Sequence, residues 1–215
     1  MIPANSTPVW SNILFLCISP LVVLLACPWF IWTQGIATTT IISAIGLWFF
    51  AGMGITVGYH RLFAHRSFSA NRSTQIFFLL GGALALQNSA IVWSSDHRKH
   101  HRNIDDQEKD PYAITNGFLW AHIVWIFFEK EEENKLENVP DLWTNPLVAW
   151  QHKYYYLIGI GGNILLPLFL GLIFGNIIEM LLFAGLARIV ALHHFTFCIN
   201  SLAHVWGTQP CSTAN

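Results

Sequence analysis

The sequence predicts an all-α membrane protein with four transmembrane helices and a cytosolic helical cap that carries clusters of histidine. Composition is the first observation: 53% of the 215 residues are hydrophobic and only 11% are charged, whereas about a quarter of a soluble domain is charged. The second observation is the pattern, because long apolar runs alternate with polar segments rich in histidine. A formal net charge of −1 gives no indication of a nucleic-acid partner.

The first two predicted spans form a hairpin near the start of the chain. Residues 10–32 are apolar and uncharged over a length that crosses a hydrocarbon layer of about 30 Å. Tryptophan stands at both ends of this run, where it anchors helices at the membrane interface. Residues 36–59 form a second apolar run after a short polar break, and several glycines in it permit close helix packing.

The last two predicted spans, residues 154–174 and 177–201, form a second hairpin. Ten of the eleven Lys and Arg lie between the two hairpins, within residues 60–153. Because basic segments tend to stay in the cytoplasm, we expect this segment to be cytosolic and the whole chain, residues 1–215, to form one domain. We interpret the acidic stretch from Asp105 to Asp110 as a solvated loop.

Residues 76–93 are apolar and almost long enough to form another span. A single crossing here would place the histidines before it and those after it on opposite faces of the membrane, where they could not share a site. We therefore predict a buried helix, re-entrant or lying under the cap, interrupted by Gln87, Asn88 and Ser89. If the histidine clusters were unrelated, an ordinary span would be the better interpretation.

The strongest cluster follows that run. On a helix, His97, His100 and His101 stand at i, i+3 and i+4 and share one face. Three imidazoles on one helical turn form a metal-ligand arrangement that suits iron, zinc or copper. The alternative is a solvated basic patch in which the histidines are incidental.

Two weaker motifs lie at the ends of predicted spans. His60 and His65 end the second span, and their spacing of five puts them about 140° apart on a regular α-helix. They converge only if the helix ends or bends there. Asn200 and His204 are four apart and share a helix face at the end of the last span. Ionisable residues near lipid are costly, which favours a function over chance.

Together these motifs resemble those of the membrane-bound fatty acyl desaturases, most closely the stearoyl-CoA desaturase type. The resemblance covers most of residues 54–210. It rests on the order and spacing of three motifs, at residues 60–65, at residues 96–101, and at residues 200–204 followed by Gly207. It implies two iron ions held almost entirely by histidine, with dioxygen as co-substrate.

The ligand set that the resemblance implies divides the histidines between two irons. One iron takes the first motif and the outer pair of the second: His60, His65, His97 and His101. The other iron takes His100 and His204, with Asn200 holding a water on it. The implied reaction forms a cis double bond in a saturated acyl chain, usually at the ninth carbon. It needs electrons from a donor protein of the ferredoxin or cytochrome b5 type.

The resemblance also assigns residues to the substrate, an acyl thioester or acyl lipid in the bilayer. Three residues match positions that shape the bend of the acyl tunnel: Gln87, Trp93 and Thr196. Without the resemblance, core packing would be their preferred interpretation. Asn88 and Asp96 match positions that hold the polar head of the acyl thioester. Ser95 stands where the animal enzymes have an arginine on the CoA phosphates, which leaves acyl-carrier protein or a glycerolipid open.

One departure concerns the third histidine box of the family, of the HxxHH type. In the family it follows the motif that matches Asn200 and His204, and it supplies three more ligands. The sequence ends at Asn215 without this box. We therefore expect a C-terminally truncated desaturase that is inactive by itself.

Two other functions stay open at this stage. A di-iron lipid hydroxylase shares the histidine motifs, and a truncated, non-catalytic membrane protein could retain the fold without the site. A transporter or haem protein is disfavoured, because the histidines lie together on one side of the membrane rather than at its midplane. The favoured location is a bacterial inner membrane rather than the endoplasmic reticulum, with the active site facing the cytoplasm.

Overall fold

Long apolar helices form the body of the molecule, and the computed structural model describes residues 6–130 and 136–206. In chain order the helices are α1 (Trp10–Gln34), α2 (Thr38–Met53), α3 (Arg72–Leu84), α4 (Ala90–Arg102), α5 (Phe118–His122), α6 (Pro140–Trp143), α7 (Pro146–Lys153), α8 (Tyr155–Phe174), α9 (Ile177–Met180) and α10 (Arg188–Val205). Two π-helical segments, Gly54–Ala64 and Leu181–Ala187, continue α2 and α9 without interruption. The shorter elements are strands β1 (Ser6–Pro8) and β2 (Phe128–Lys130) and the 3-10 turns Ile114–Asn116, Val124–Phe127 and Leu136–Asn138.

Four helical segments in the described part of the chain are long and apolar enough to cross a membrane: Trp10–Gln34, Thr38–Ala64, Tyr155–Phe174 and Ile177–Val205. They expose large apolar side chains such as Leu25 (73% exposed) and Leu157 (72% exposed). Such extensive apolar surface is typical of a protein that faces lipid. The predicted class, an all-α membrane protein with four spans, is confirmed.

The turns of the two hairpins lie side by side at one end of the bundle. The backbone N–H of Ala37 donates to Oε1 of Glu179 at 2.7 Å, and Nδ2 of Asn176 donates to Oγ1 of Thr40 at 2.8 Å. The segment between the hairpins and the end of α10 therefore lie together at the opposite end. This arrangement is what allows motifs far apart in sequence to share a site.

At that opposite end, the start of the chain joins the cap. β1 pairs with β2 in an antiparallel ladder in which Ser6 faces Lys130 and Pro8 faces Phe128. Nδ2 of Asn12 also donates to the carbonyl of Ile126 at 3.0 Å. The sequence analysis did not predict this small sheet, because strands of three residues are too short to show a period of two.

The apolar run at residues 76–93 is divided into two helices and a turn. α3 has 13 residues and is about 20 Å long, too short to cross a membrane. A Cβ added at Gly58 would meet Phe78, and one added at Gly54 would meet Gly82, so α3 runs antiparallel to the second span. The chain then reverses at residues 85–89 and α4 returns. The structure thus agrees with a re-entrant segment, but it contains a helical pair rather than one helix.

Side chains from the last two spans satisfy the carbonyl groups at the end of α3. The carbonyl of Leu84 accepts from Nδ2 of Asn163 at 3.2 Å and from Nη1 of Arg188 at 3.1 Å. Nε2 of His193 is hydrogen-bonded to the carbonyl of Ala85 at 2.8 Å. Arg188 also donates to Oδ1 of Asn163. Irregular backbone at membrane depth requires such partners, because no water is available to satisfy it.

The second half of the turn is held from other elements. The N–H of Asn88 donates to the hydroxyl of Tyr155 at 3.0 Å, and the N–H of Ala90 donates to Oε1 of Gln151 at 3.1 Å. Nε2 of Gln151 in turn donates to the hydroxyl of Tyr59 at 2.6 Å. The turn is therefore fixed to the second span, α7, α8 and α10.

Glycine allows direct contact between the second span and α3. A Cβ at Gly54 would lie 2.1 Å from the backbone nitrogen of Gly82 and 2.4 Å from the carbonyl carbon of Gly81. Small residues permit this close approach of helix backbones. Because both neighbours are backbone atoms, a side chain at Gly54 would have to separate the two helices.

We expect the Gly54→Ala variant to melt at a lower temperature than the wild-type chain, since overpacking costs about 1–3 kcal/mol. Gly46→Ala is the matched control in α2, because no atom lies within 4 Å of an added Cβ there. It should be at least as stable as wild type, since alanine favours a helix over glycine by about 0.5–1 kcal/mol. Thermal unfolding in detergent, followed by tryptophan fluorescence, measures both. Equal melting temperatures for the two variants would contradict the close packing.

Candidate metal centre

A π-helix brings together the two histidines of the first motif. The N–H of His65 donates to the carbonyl of His60 at 2.9 Å, a bond from residue i+5 to residue i that characterises this helix. Residues five apart therefore face the same side, and the rings of His60 and His65 have centroids 4.5 Å apart. The sequence analysis expected convergence only where the helix ended or bent. The π-helix ends at Ala64 with His65 as its C-cap, so the helix does end at this motif, as that expectation requires.

α4 presents His97 and His101 to this pair. Nε2 of His65 and Nε2 of His97 are 2.9 Å apart, and the rings of His65 and His101 have centroids 4.7 Å apart. One ligand atom from each of the four histidines lies within 4.8 Å of all the others. Two ligand atoms that bind one ion at about 2.1 Å and at right angles are about 3 Å apart. The pair of His65 and His97 matches that spacing, and the group of four is one that could hold a metal ion.

Two aromatic side chains orient the ring of His97. Trp93 stacks on it with centroids 4.8 Å apart and an interplanar angle of 24°. The hydroxyl of Tyr112 lies 3.4 Å from its Nδ1. A proton on Nδ1, donated to Tyr112, leaves the Nε2 lone pair free for a metal, as partners of metal-bound histidines commonly do.

The cluster favours neutral imidazoles. Burial, followed by repulsion from His101, His60 and His65, lowers the pKa of His97 to about 2. Burial also lowers the pKa of His101, and repulsion from His65 and His100 adds to the effect. A neutral imidazole keeps a lone pair for a metal, so these two ligands need not lose a proton at neutral pH.

The third histidine of α4 faces a second group of side chains. The ring centroid of His100 lies 5.5 Å from that of His204 and 4.3 Å from that of Tyr112, on which it stacks. Nδ1 of His100 is 2.8 Å from Oδ2 of Asp110, which is 1% exposed. A carboxylate at Nδ1 leaves Nε2 to bind a metal. Nδ1 of His204 lies 3.5 Å from Oδ1 of Asp105.

The structure places the rings of His100 and His204 5.5 Å apart between centroids, beside the cluster of four. Asn200 is partly buried on the same face of α10, one turn before His204. Gly207, which ends the third motif, lies outside the described residues. The other four histidines of the chain lie apart from both groups: His122, His152, His193 and His194.

Arg98 connects α4 to the end of the first π-helix. Its Nε donates to the carbonyl of Ala64 at 3.0 Å, and its Nη2 donates to the carbonyl of Phe63 at 2.9 Å. Its two Nη atoms also bind the carboxylate of Asp141 at 2.8 and 3.0 Å. Such forked contacts require a guanidinium group. The residue next to His97 thereby holds the backbone just before His65.

The residues assigned to the acyl chain lie where the turn meets α10. Nε2 of Gln87 donates to Oγ1 of Thr196 at 3.0 Å, and Trp93 lies beside the histidine cluster. The two residues assigned to the polar head lie in different elements, because Asn88 is in the turn before α4 and Asp96 is within α4. Asn88 is exposed, and Asp96 lies 3.5 Å from Nζ of Lys99.

Three residues at the centre were not predicted. The interpretation of residues 105–110 as a solvated loop is wrong at Asp110, which is buried against His100. Tyr112 and Arg98 were also missed, since neither has a spacing that relates it to the histidines.

Ser95 is fully buried and its Oγ donates to Oδ1 of Asn138 at 2.7 Å. Its side chain therefore points into the protein rather than toward a CoA phosphate.

Comparison with known proteins identifies the family. The family model described as Fatty acid desaturase matches residues 34–215. The chain is 40% identical to a probable acyl-CoA desaturase of Schizosaccharomyces pombe over 187 residues, which are 86% of this chain and 39% of that protein. It is 35% identical to an sn-2 palmitoyl-lipid 9-desaturase of Nostoc over 208 residues, 92% of this chain and 67% of that protein.

A mammalian relative is similar over nearly the whole chain. Stearoyl-CoA desaturase 4 of Mus musculus is 30% identical over 220 aligned residues, 97% of this chain and 60% of that protein. The alignments thus cover between 39% and 67% of the length of these three relatives. Because the family model matches well over half of its residues, the chain belongs to the fatty acid desaturase family.

Proposed function

We propose that this chain is an acyl desaturase that uses dioxygen and two irons to insert a cis double bond at the ninth carbon of a saturated acyl chain. The observation that carries the proposal is the convergence of four imidazoles, with ligand atoms within 4.8 Å, in a member of this family: His60, His65, His97 and His101. The ninth carbon is supported by the names of relatives, among them the Nostoc enzyme.

The imidazole side chains of this cluster are suitable ligands for the iron that the family uses. Desaturases of this family are in general di-iron enzymes, and imidazole is a suitable ligand for iron. The cluster of four would hold one iron, and His100 and His204 would hold the other, with Asn200 acting through a water. When bound, the irons supply the activation of dioxygen that removes hydrogen from an unactivated methylene pair.

The protein's own part is to position the acyl chain and the ligands. We assign the hydrogen-bonded pair of Gln87 and Thr196 to the bend of the acyl tunnel, the role that the resemblance implies for both residues. Trp93 would form the wall between that bend and His97. Burial, together with the charges of Asp110 and Asp96, raises the pKa of Tyr112, so its hydroxyl stays protonated beside His97.

The substrate class follows from the relatives and remains broad. Their names specify acyl-CoA in some cases and a palmitoyl lipid in another. We propose an acyl thioester or an acyl lipid drawn from the bilayer, with its polar head near Asn88 and Asp96. Ser95 is uncharged and fully buried, so it provides no cation for CoA phosphates at that site.

A protein partner is required by the electron balance. Reduction of dioxygen to two waters takes four electrons, and removal of two hydrogens from the substrate supplies two. The other two would come from a donor of the ferredoxin or cytochrome b5 type, bound at the cap.

We place the cap in the cytoplasm because ten of eleven Lys and Arg lie between the hairpins. The relatives come from Schizosaccharomyces pombe, Mus musculus and Nostoc, so they do not favour a bacterial membrane over the endoplasmic reticulum.

The metal content of the purified chain tests the first metal position. After anaerobic incubation with ferrous iron we expect two irons per chain, measured by mass spectrometry of the metal. His97→Ala should weaken binding at the first position by at least about 100-fold, since even residues behind the ligands change affinity by 10–100-fold. His152→Asn is the control, because His152 contacts Ser89 outside both groups. Wild-type iron content in His97→Ala would contradict the assignment.

Arg98→Lys should lower iron affinity at the first position by about 10–100-fold without removing a ligand. Lysine keeps the charge but cannot hold two carbonyls and a carboxylate in one plane, so the backbone before His65 would be released. The control is Arg102→Lys on the exposed side of α4. If the two variants bind iron equally, Arg98 does not position the cluster.

Lipid analysis of cells that express the chain in a host without its own desaturase tests the reaction. A cis double bond at the ninth carbon that disappears in His97→Ala is the outcome that establishes a desaturase. Hydroxylated acyl chains would instead identify a lipid hydroxylase. Unchanged lipids from a chain that binds two irons would contradict the proposed activity of this chain.

A further inference from the structure

We infer that a groove between the loop at residues 65–71 and α6 binds an anionic phospholipid of the membrane leaflet on the side of the cap, with Arg66 on the phosphate of its headgroup. The groove lies outside both groups of histidines. The inference therefore does not depend on the proposed reaction, and its test needs no iron.

The groove is lined by buried apolar residues and by exposed polar ones. Its volume is about 330 Å³, within the range of about 300–1,000 Å³ that is usual for sites of small ligands. Leu62, Phe63 and Leu142 are buried, whereas Arg66 and Ser69 are exposed at the rim. This combination of apolar surface and a cation fits a ligand that has both an acyl chain and an anionic head.

Both walls of the groove adjoin membrane-spanning helices. The loop follows the second span, which ends at Ala64, and leads into α3, which runs back into the bundle. The other wall is α6 with the start of α7, and α7 leads directly to the span that begins at Tyr155. The groove therefore lies where the spans emerge from the membrane, at the level of the lipid headgroups.

Exposed aromatic side chains lie at the same level. Phe68 on the loop is 37% exposed, and Trp143 on α6 and Trp150 on α7 are 44% and 40% exposed. Tryptophan is enriched at the interface between the hydrocarbon layer and water. These side chains indicate that both walls of the groove face lipid rather than open solvent.

The charge at the rim is positive. Residues 36–95 contain three arginines and no Asp or Glu. Nη2 of Arg66 contacts Oδ1 of Asp141 at 2.7 Å, and Arg98 binds both oxygens of the same carboxylate. Burial opposes ionisation of Asp141, but hydrogen bonds from Arg98 and Arg66 lower its pKa to about 2. Two guanidinium groups thus share one carboxylate, and the three groups together keep one positive charge.

Arg66 is the member of this group that a further anion can reach. Its side chain is 61% exposed, whereas that of Arg98 is 18% exposed and holds carbonyls of the second span. A guanidinium group has five N–H donors, more than one contact with Asp141 uses. The φ of Arg66 is 51°, in the left-handed region that residues other than glycine rarely adopt. Such strained residues are often found where a ligand is held.

The chemistry of the groove favours a phospholipid over an acidic protein. Guanidinium groups bind phosphate oxygens through paired hydrogen bonds, and basic pockets between membrane-spanning helices bind the headgroups of anionic lipids. An acidic protein would contact the charged rim but would leave the buried apolar lining of Leu62, Phe63 and Leu142 uncovered. An acyl chain covers that lining.

The test is native mass spectrometry of the purified chain with phosphatidylglycerol or phosphatidylcholine added to the detergent. We expect one phosphatidylglycerol per chain, bound about fivefold more tightly than phosphatidylcholine, which is the effect of one basic residue near an anionic lipid. Arg66→Asn should abolish this preference. Asparagine tolerates a left-handed backbone, so the variant removes the charge without new strain.

Two further variants separate the groove from its surroundings. Ser69→Trp fills the groove but keeps both ion pairs of Asp141, so it should weaken the binding of both lipids. Arg72→Gln is the matched control, because Arg72 is an exposed cation beside the loop that does not line the groove. It should keep the preference of the wild-type chain.

Three results would overturn the inference. Equal affinity of the wild-type chain for the two lipids would remove the basis for an anionic site. Equal losses in Arg66→Asn and Arg72→Gln would indicate a diffuse basic surface, and wild-type binding by Ser69→Trp would place the lipid elsewhere. Binding of added cytochrome b5 that Arg66→Asn abolishes, in a chain without any lipid preference, would identify an acidic protein as the occupant instead.

Discussion

The whole site depends on a turn of backbone inside the helical bundle. At residues 85–89 the chain reverses among apolar spans, and the polar groups of that turn have no water to bind. Asn163, Arg188 and His193 satisfy the carbonyls at the end of α3 and the start of the turn, and Tyr155 and Gln151 satisfy N–H groups at the end of the turn and the start of α4. Without these partners an uninterrupted apolar helix would be preferred. α4 would then end on the far side of the membrane from the first histidine motif.

The change from α-helix to π-helix at the end of the second span is the second feature on which the histidine cluster depends. Two side chains five residues apart point in different directions on an α-helix but in similar directions on a π-helix. The π-helix Gly54–Ala64, with His65 as its C-cap, therefore places His60 and His65 on one face. Arg98 then fixes the carbonyls of Phe63 and Ala64 to α4. The convergence of the four imidazoles therefore depends on contacts to the backbone as well as on the positions of the histidines in the sequence.

The features predicted from the sequence are those that repeat or that obey a fixed spacing. Four long apolar runs predicted the spans, and the requirement that two histidine clusters share a side predicted the re-entrant segment. The π-helix was not predicted, because apolar periodicity does not distinguish it from a bend. Asp110 was missed for a different reason: a carboxylate in a polar loop resembles a solvated one until the fold buries it against His100.

The distribution of charge separates the two halves of the centre. The cluster of four contains imidazoles alone, and burial with mutual repulsion favours the neutral form of His97 and His101. The group around His100 has two carboxylates nearby, one on Nδ1 of His100 and one beside His204. Carboxylates favour harder cations and raise the basicity of the imidazole they contact. The histidines of α4 thus lie in two different electrostatic surroundings, and the difference comes from one short acidic loop.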